Sequence, residues 1–220
     1  MILRRIEMTT ILMVRHGQSE ANHLGVFAGH YDIELTELGC EQAKCTADFI
    51  AKNYKVDKVY ASDLKRAFKT ARIIADKCNL DVIPEQNFRE ISAGKWEAVT
   101  FEDIIKLYGE DYGLWRTDVA KSRCTDGESV KELTKRVCDA LLKVAQENEG
   151  KTVVIGTHAT PVRAAQCVFG GHSLDGMKDI PWASNASVTE FVYEDGTLTL
   201  KKASMDDHLS ELMSTLPANV

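Results

Sequence analysis

A chain of 220 residues, 44% hydrophobic and 27% charged, has the size and balance of one well-buried α/β domain and is short for two. Its net charge of −6 comes with no long run of either sign, which argues against a nucleic-acid binder working through bulk electrostatics but leaves room for a small anion held by a local Arg/His cluster. Nothing approaches the length of a membrane span, and Cys40, Cys45, Cys78, Cys124, Cys138 and Cys167 include no CxxC pair, so the thiols read as reduced and the protein as cytoplasmic.

The N-terminal MILRRIEMTTILMV is basic, but its apolar run, Ile11 to Val14, is too short for a signal-peptide core and lacks a small-residue cleavage site. Thr10 to Arg15 instead reads as a buried strand that runs straight into Arg15, His16 and Gly17. Leu38, Ala43, Ala47, Ile50 and Ala51 recur at helical spacing from Thr36 to Asn53, with Thr36 placed to cap the helix. VDKVYAS is a short strand, and Asp63 to Cys78 a helix with Leu64, Ala67, Ala71, Ile74 and Ala75 on one face. LDVIP is another short strand.

From Asn87 to Gly127 the pattern is less regular, with one short amphipathic helix at FEDIIKLYG and an aromatic, charged run at DYGLWRTDVAKSR. A long helix follows from Glu128 to Asn148, its buried stripe marked by Val130, Leu133, Val137, Leu141 and Val144. TVVIGTHA is a second continuous apolar strand that runs into a histidine, His158, and Pro161 to Phe169 opens another helix. SVTEFVYEDGTLTLKKA predicts a β-hairpin turning at Asp195-Gly196, and 204–220 reads as an exposed tail or short terminal helix.

This alternation implies a single three-layer α/β domain over 1–220: a mainly parallel sheet, helices on both faces, and the C-terminal hairpin as an antiparallel edge. Ligands of such sheets bind beyond the carboxyl ends of the strands. Arg15 and His16 stand at one such end, with Gly17 leaving the backbone open, and His158 stands at another. Arg66 lies in the first turn of the helix after a third strand, where a helix N-terminus already favours anions and a guanidinium adds a bidentate phosphate binder. Taken singly, each has a bland reading: a polar residue at a strand end, or a surface charge. Glu90 has Arg89 as a possible salt-bridge partner and Glu85, Glu97 and Glu102 as competitors. The spacing of His16, His23 and His30 reads as chance rather than a metal site, because Gly25 and Gly29 interrupt any helix that would align them. Trp96 and Tyr112 read as core, Phe27 and Trp115 as candidates for a pocket rim, and Lys121 and Arg123 as solvated charge.

Six blocks in order resemble the histidine phosphatase (phosphoglycerate mutase-like) superfamily: VRHGQSEAN, GHYDIELTELGCEQA, YASDLKRAFKTARIIA, FREISAGKWE, DGESVKELTKRV and VVIGTHATPVRA. The resemblance covers roughly residues 10 to 195. It implies that His16 is a nucleophile taking up the phosphoryl group, its other ring nitrogen held by a carbonyl near Gly17. It makes Arg15, Arg66 and His158 the groups around the phosphoryl oxygens, and Glu90 the general acid and then the base. Gln18, Ser19, Asn22 and the backbone at Ala159 match positions lining the phosphate pocket, and neither metal nor cofactor is implied. Departures are few: Ser19 stands where Thr is usual, WEAVT replaces a Trp-Glu-Gly pattern, and Ala159 and Thr160 stand where glycines are common. FREISAGKWE resembles the phosphatase branch, and the segment from Trp96 to Gly127 is shorter than the insertion of the mutases. The expected activity is therefore hydrolysis of a small phosphorylated metabolite. The alternatives are a cofactor-dependent phosphoglycerate mutase, a non-catalytic phosphate-ligand binder and a protein phosphatase; a homodimer through an edge strand or terminal segment stays open.

Overall fold

Strand β1 (Thr9–Arg15) is buried on both sides: Ile11 and Met13 enter one apolar cluster, Leu12 and Val14 another. A strand of that kind needs helices on both faces, and the computed structural model, which describes residues 8–214, supplies them. The remaining strands are β2 (Lys58–Ala61), β3 (Val82–Pro84), β4 (Thr152–Thr157), β5 (Val188–Glu194) and β6 (Thr197–Met205). They form one sheet in the order β3-β2-β4-β1-β5-β6; β1 to β4 run parallel, and β5 and β6 add the antiparallel edge. The hairpin turns at Asp195 and Gly196, both at positive φ, as the right-handed twist of paired strands favours.

One face is covered by α2 (Glu37–Asn53) and α3 (Lys65–Cys78), whose Ala47, Ile50, Ala71, Ile74 and Ala75 meet Leu12 and Val14. The other is covered by α6 (Val130–Glu147) and α7 (Ala159–Phe169). All five stripe residues of α6 are buried, each contributing about 1.5–3 kcal/mol, and its start is set by a Ser129/Glu132 capping box. The remaining helices are short: α1 (Glu20–Leu24), α4 (Phe101–Leu107) and α5 (Gly109–Thr117).

Three expectations change. The irregular aromatic run contains a helix, α5, held by burial of Tyr112 and Trp115 rather than by a clean apolar stripe. The helix expected from Asp63 begins at Lys65, because Ser62 and Asp63 are spent on His158 and Arg89. Of the exposed tail or short terminal helix expected over 204–220, a short helix forms, but docked rather than exposed as far as Ser214: β6 runs to Met205, a 3-10 turn spans Asp207–Leu212, and Leu209 is buried. Gln42 and Cys45 on α2 donate to carbonyls of this segment, Leu212 and His208, and His208 stacks on Phe49. Residues 1–7, part of the segment tested as a signal peptide, and 215–220, the end of the expected tail, lie outside the described residues. Among the described residues no helix is long and apolar enough to cross a membrane, and the six cysteines are free.

Candidate active site

Register brings the two histidines together. Arg15 pairs with Thr157 across β1 and β4, so His16 and His158 leave adjacent strands side by side, their ring centroids 5.2 Å apart. Gly17 is required for a reason other than an open anion pocket. A Cβ there would sit 2.2 Å from the carbonyl oxygen of Gly39, and one on Gly39 would sit 2.0 Å from that of Gln18. The two glycines let the loop after β1 lie directly on the start of α2, and the Gly17 N–H goes to Thr70 Oγ1.

His16 Nδ1 lies 2.7 Å from the Gly17 carbonyl oxygen. A carbonyl only accepts, so Nδ1 carries the proton and Nε2 keeps its lone pair. Arg66 Nε donates to that Nε2 at 3.3 Å. Burial, then the charges of Arg66 and Arg15, hold the His16 pKa well below its usual range, so the ring is neutral at neutral pH. His158 is pushed down in the same way, first by burial. Its Nε2 meets Ser62 Oγ at 2.8 Å, and its buried Nδ1 has no hydrogen-bond partner.

Arg66, 1% exposed, donates to the backbone oxygens of Gly29 (2.8 Å) and Tyr31 (3.1 Å). Arg15 donates to that of Ala183, while its buried Nε has no hydrogen-bond partner. Neither guanidinium has a carboxylate in ion-pair contact among the described residues, and burial lowers both pKa values to about 10. Two buried cations held by neutral carbonyls make a site that favours an anion.

Glu90 is buried beside them, its Oε1 accepting from the Ile91 N–H at 2.9 Å and its Oε2 from the Thr160 N–H at 3.4 Å. Arg89 is not its partner: it makes a bidentate pair with Asp63. The Glu90 backbone is fixed from outside, its carbonyl accepting from Arg136 (2.8 Å) and from His30 (2.9 Å). Arg136 also grips Glu128 and the carbonyls of Asn87 and Arg89.

A cavity opens over this cluster. Arg15, His16, Ser19, Asn22, Arg66, Glu90, Ala159 and Thr160 line one part of it; Val26, Phe27, Phe101, Trp115 and Trp182 line the other. The rim candidates Phe27 and Trp115 thus reach the cavity. Gln18 does not line it, because its side-chain oxygen accepts from Thr36 Oγ1 and turns toward the start of α2. His158 packs edge to face against His16, 5.2 Å between ring centroids, with its unpartnered Nδ1 buried beside the cluster. Ser62, Thr70 and Arg136 also shape the site, and their only sequence signal is that they lie within the resembling blocks; Phe101, Trp182 and Asn185 lie outside those blocks. Lys121 and Arg123 pair with Asp118 and Glu132 at the surface. Among the described residues no group of three or more His, Cys, Asp or Glu side chains is placed to hold a metal ion.

A family model for the histidine phosphatase superfamily (branch 1) matches residues 11–206. Phosphoserine phosphatase 1 of Hydrogenobacter thermophilus is 33% identical over 207 residues, 93% of this chain and 96% of its own. The metal-independent phosphoserine phosphatase of Arabidopsis thaliana is 32% identical over 160 residues, 72% of this chain and 67% of its own. Among solved structures, a mutant phosphoserine phosphatase from Entamoeba histolytica in complex with phosphoserine superposes with a TM-score of 0.80 at 29% identity, covering 91% of this chain and 99% of that one.

Proposed function

The chain belongs to the histidine phosphatase superfamily, and on that premise we propose a phosphomonoester hydrolase that works through a phosphohistidine on His16. The observation that carries the proposal is a neutral imidazole with its Nε2 lone pair beside buried guanidiniums that have no carboxylate partner. In the first step Nε2 attacks phosphorus, the bond to the leaving oxygen breaks, and Glu90 gives that oxygen a proton. In the second, Glu90 takes a proton from water, the water oxygen attacks phosphorus, and the P–N bond breaks to release phosphate. Arg15, Arg66 and the Nδ1 edge of His158 stabilise the charge on the transferring group, so the chemistry needs no metal.

The substrate is a small phosphorylated metabolite. Phosphoserine is the first compound to try, given the relatives. Phe27, Phe101, Trp115 and Trp182 line the part of the cavity that would face the leaving group, and the buried Trp115 Nε1 has no hydrogen-bond partner. Relative to phosphoserine, that aromatic wall would favour esters whose leaving groups have an apolar or flat surface.

The test is phosphate release from a panel of monoesters in the presence of chelator, combined with rapid acid and alkaline quench. Wild type should form an acid-labile, alkali-stable phosphoenzyme that His16→Ala lacks, and His16→Ala should lose turnover. Normal turnover by His16→Ala would sink the mechanism. Isomerisation of 3-phosphoglycerate without release would make the protein a mutase.

A further inference from the structure

We propose that Asn185 is a positioning residue for the phosphoryl pocket: its side-chain amide turns Asn22 so that the Asn22 NH2 group faces the bound phosphoryl oxygens. The inference rests on the phosphatase reading and adds to it a residue outside the six resembling blocks.

Two backbone groups fix both amides. Asn185 is fully enclosed between the 3-10 turn ending at Asp179 and β5, and its Nδ2 lies 3.1 Å from the His16 carbonyl oxygen. That oxygen can only accept, so the amide nitrogen must face it. The same Nδ2 donates to Asn22 Oδ1 at 3.2 Å. On the far side, Asn185 Oδ1 accepts from Ser214 Oγ at 3.0 Å, in the docked C-terminal segment. Asn22 is fixed likewise: its Oδ1 accepts from the Ser19 backbone N–H at 3.0 Å, which can only donate. With the Ser19 hydroxyl also donating at 3.0 Å, three donors converge on one Asn22 oxygen. Asn22 lines the cavity, so its opposite branch, Nδ2, is left to serve an anion there. The chain of donors runs one way: Ser214 to Asn185, Asn185 to Asn22, Asn22 to phosphate.

The segment around Asn185 is tied to the catalytic loop throughout. Ala183 accepts from Arg15, the Ala186 N–H reaches the carbonyls of Arg15 (3.1 Å) and His16 (3.2 Å), and Ser187 accepts from the Arg15 N–H at 3.2 Å. Ser184 Oγ donates to Asp206 at 2.6 Å, so the C-terminal segment braces the same loop twice.

The experiment is calorimetric binding of inorganic phosphate to the full chain, with a double-mutant cycle over Asn185→Ala and Asn22→Ala and a thermal unfolding curve for each variant. Direct binding keeps the test independent of turnover. Asn185→Ala should weaken phosphate binding about tenfold, while in the Asn22→Ala background the same change should cost less than twofold. Ser214→Ala, at a half-buried position near the end of the chain, should weaken binding severalfold without lowering the unfolding temperature, and it carries the test if Asn185→Ala does not fold. Additive losses in the cycle, or unchanged phosphate affinity in both Asn185→Ala and Ser214→Ala, would overturn the inference. Wild type that binds no phosphate would overturn the phosphatase reading itself, and the inference with it.

Discussion

The two parts of the cavity are built on opposite principles. Arg15, His16, Arg66 and Glu90 are all buried, and each is held by at least one backbone group. Val26, Phe27, Phe101, Trp115 and Trp182 come from α4, α5 and loops, and the four aromatics meet ring to ring: Phe27 lies 5.3 Å from Trp115 and 6.0 Å from Phe101, and Trp115 stacks at 5.9 Å on Trp182. Arg163 sits 4.2 Å over the Trp182 ring, so that wall is backed by a cation it does not present to the cavity. The first part grips by charge, and every phosphomonoester offers it the same group. The second grips by shape, and there substrates differ. Substitution can separate the two. Arg66→Ala should lower kcat/KM by about 100- to 1000-fold, and by nearly the same factor for every substrate. Trp115→Ala should change the order of substrates, with the largest loss for the bulkiest leaving group. Steady-state kinetics on a panel of five or six esters decides it; a substrate-dependent loss in Arg66→Ala would erase the division.

Proton linkage sharpens the same contrast, because the buried imidazoles belong to one part only. His16 and His158 are held neutral by burial and by neighbouring cations. Unfolded, each protonates near pH 6.5. Acid therefore feeds protons to the unfolded chain. The stability these rings contribute is complete above about pH 6.5 and is lost as pH falls toward their depressed folded values, at up to roughly 1.4 kcal/mol per pH unit for each. His208, also pushed down by burial, adds to the slope from the C-terminal segment. Unfolding midpoints should be flat from pH 7 to 8 and fall below pH 6.5. His158→Gln should make the fall shallower, whereas Trp115→Ala should leave its slope unchanged. A midpoint indifferent to pH between 7.5 and 5.5 would show that the two rings are not neutral in the fold.

The contrast also explains what was legible in the sequence. Arg15, His16, Arg66 and His158 stand at the ends of apolar strands or at the start of a helix, so local periodicity places them at one edge of the sheet. The Arg15–Thr157 register then makes neighbours of residues more than a hundred positions apart. The aromatic wall has no period. Helix α5 carries glycines at 109 and 113 and buries only Tyr112 and Trp115, so its residues read as irregular until a core exists to receive them. In a loop nothing local sets the direction of a side chain, and the Gln18 side chain turns to the capping residue Thr36. Asn185 and Ser62 act on partners far along the chain, and although Ser62 lies in a resembling block, local pattern does not show which residue it meets. The docking of the C-terminal segment leaves no period in the sequence, because carbonyl contacts and one stacked imidazole hold it more than an apolar stripe does.

The smallest expected effect tests the frame of the aromatic wall. Ala98 stands where the family resemblance expects glycine, and its φ is +61°, in the left-handed region. An alanine there carries a steric cost of about 1–2 kcal/mol that glycine avoids. The position persists because it anchors Phe27: the Ala98 N–H donates to the Phe27 carbonyl at 2.9 Å, and the Val99 carbonyl accepts from the Phe27 N–H at 2.9 Å. Ala98→Gly should relieve the strain while giving back part of the gain through a more flexible unfolded chain. The net expectation is a stabilisation of about 0.5–1 kcal/mol, a rise in the unfolding midpoint of roughly 1–4 °C for a chain of this size. Phosphate affinity should not move, because Ala98 is exposed and does not line the cavity. A lowered midpoint would mean that the methyl group contributes packing worth more than the strain it imposes. An altered phosphate affinity would mean that the two parts of the cavity are mechanically coupled through the Phe27 strap, and the division between charge and shape would then have to be redrawn along that strap.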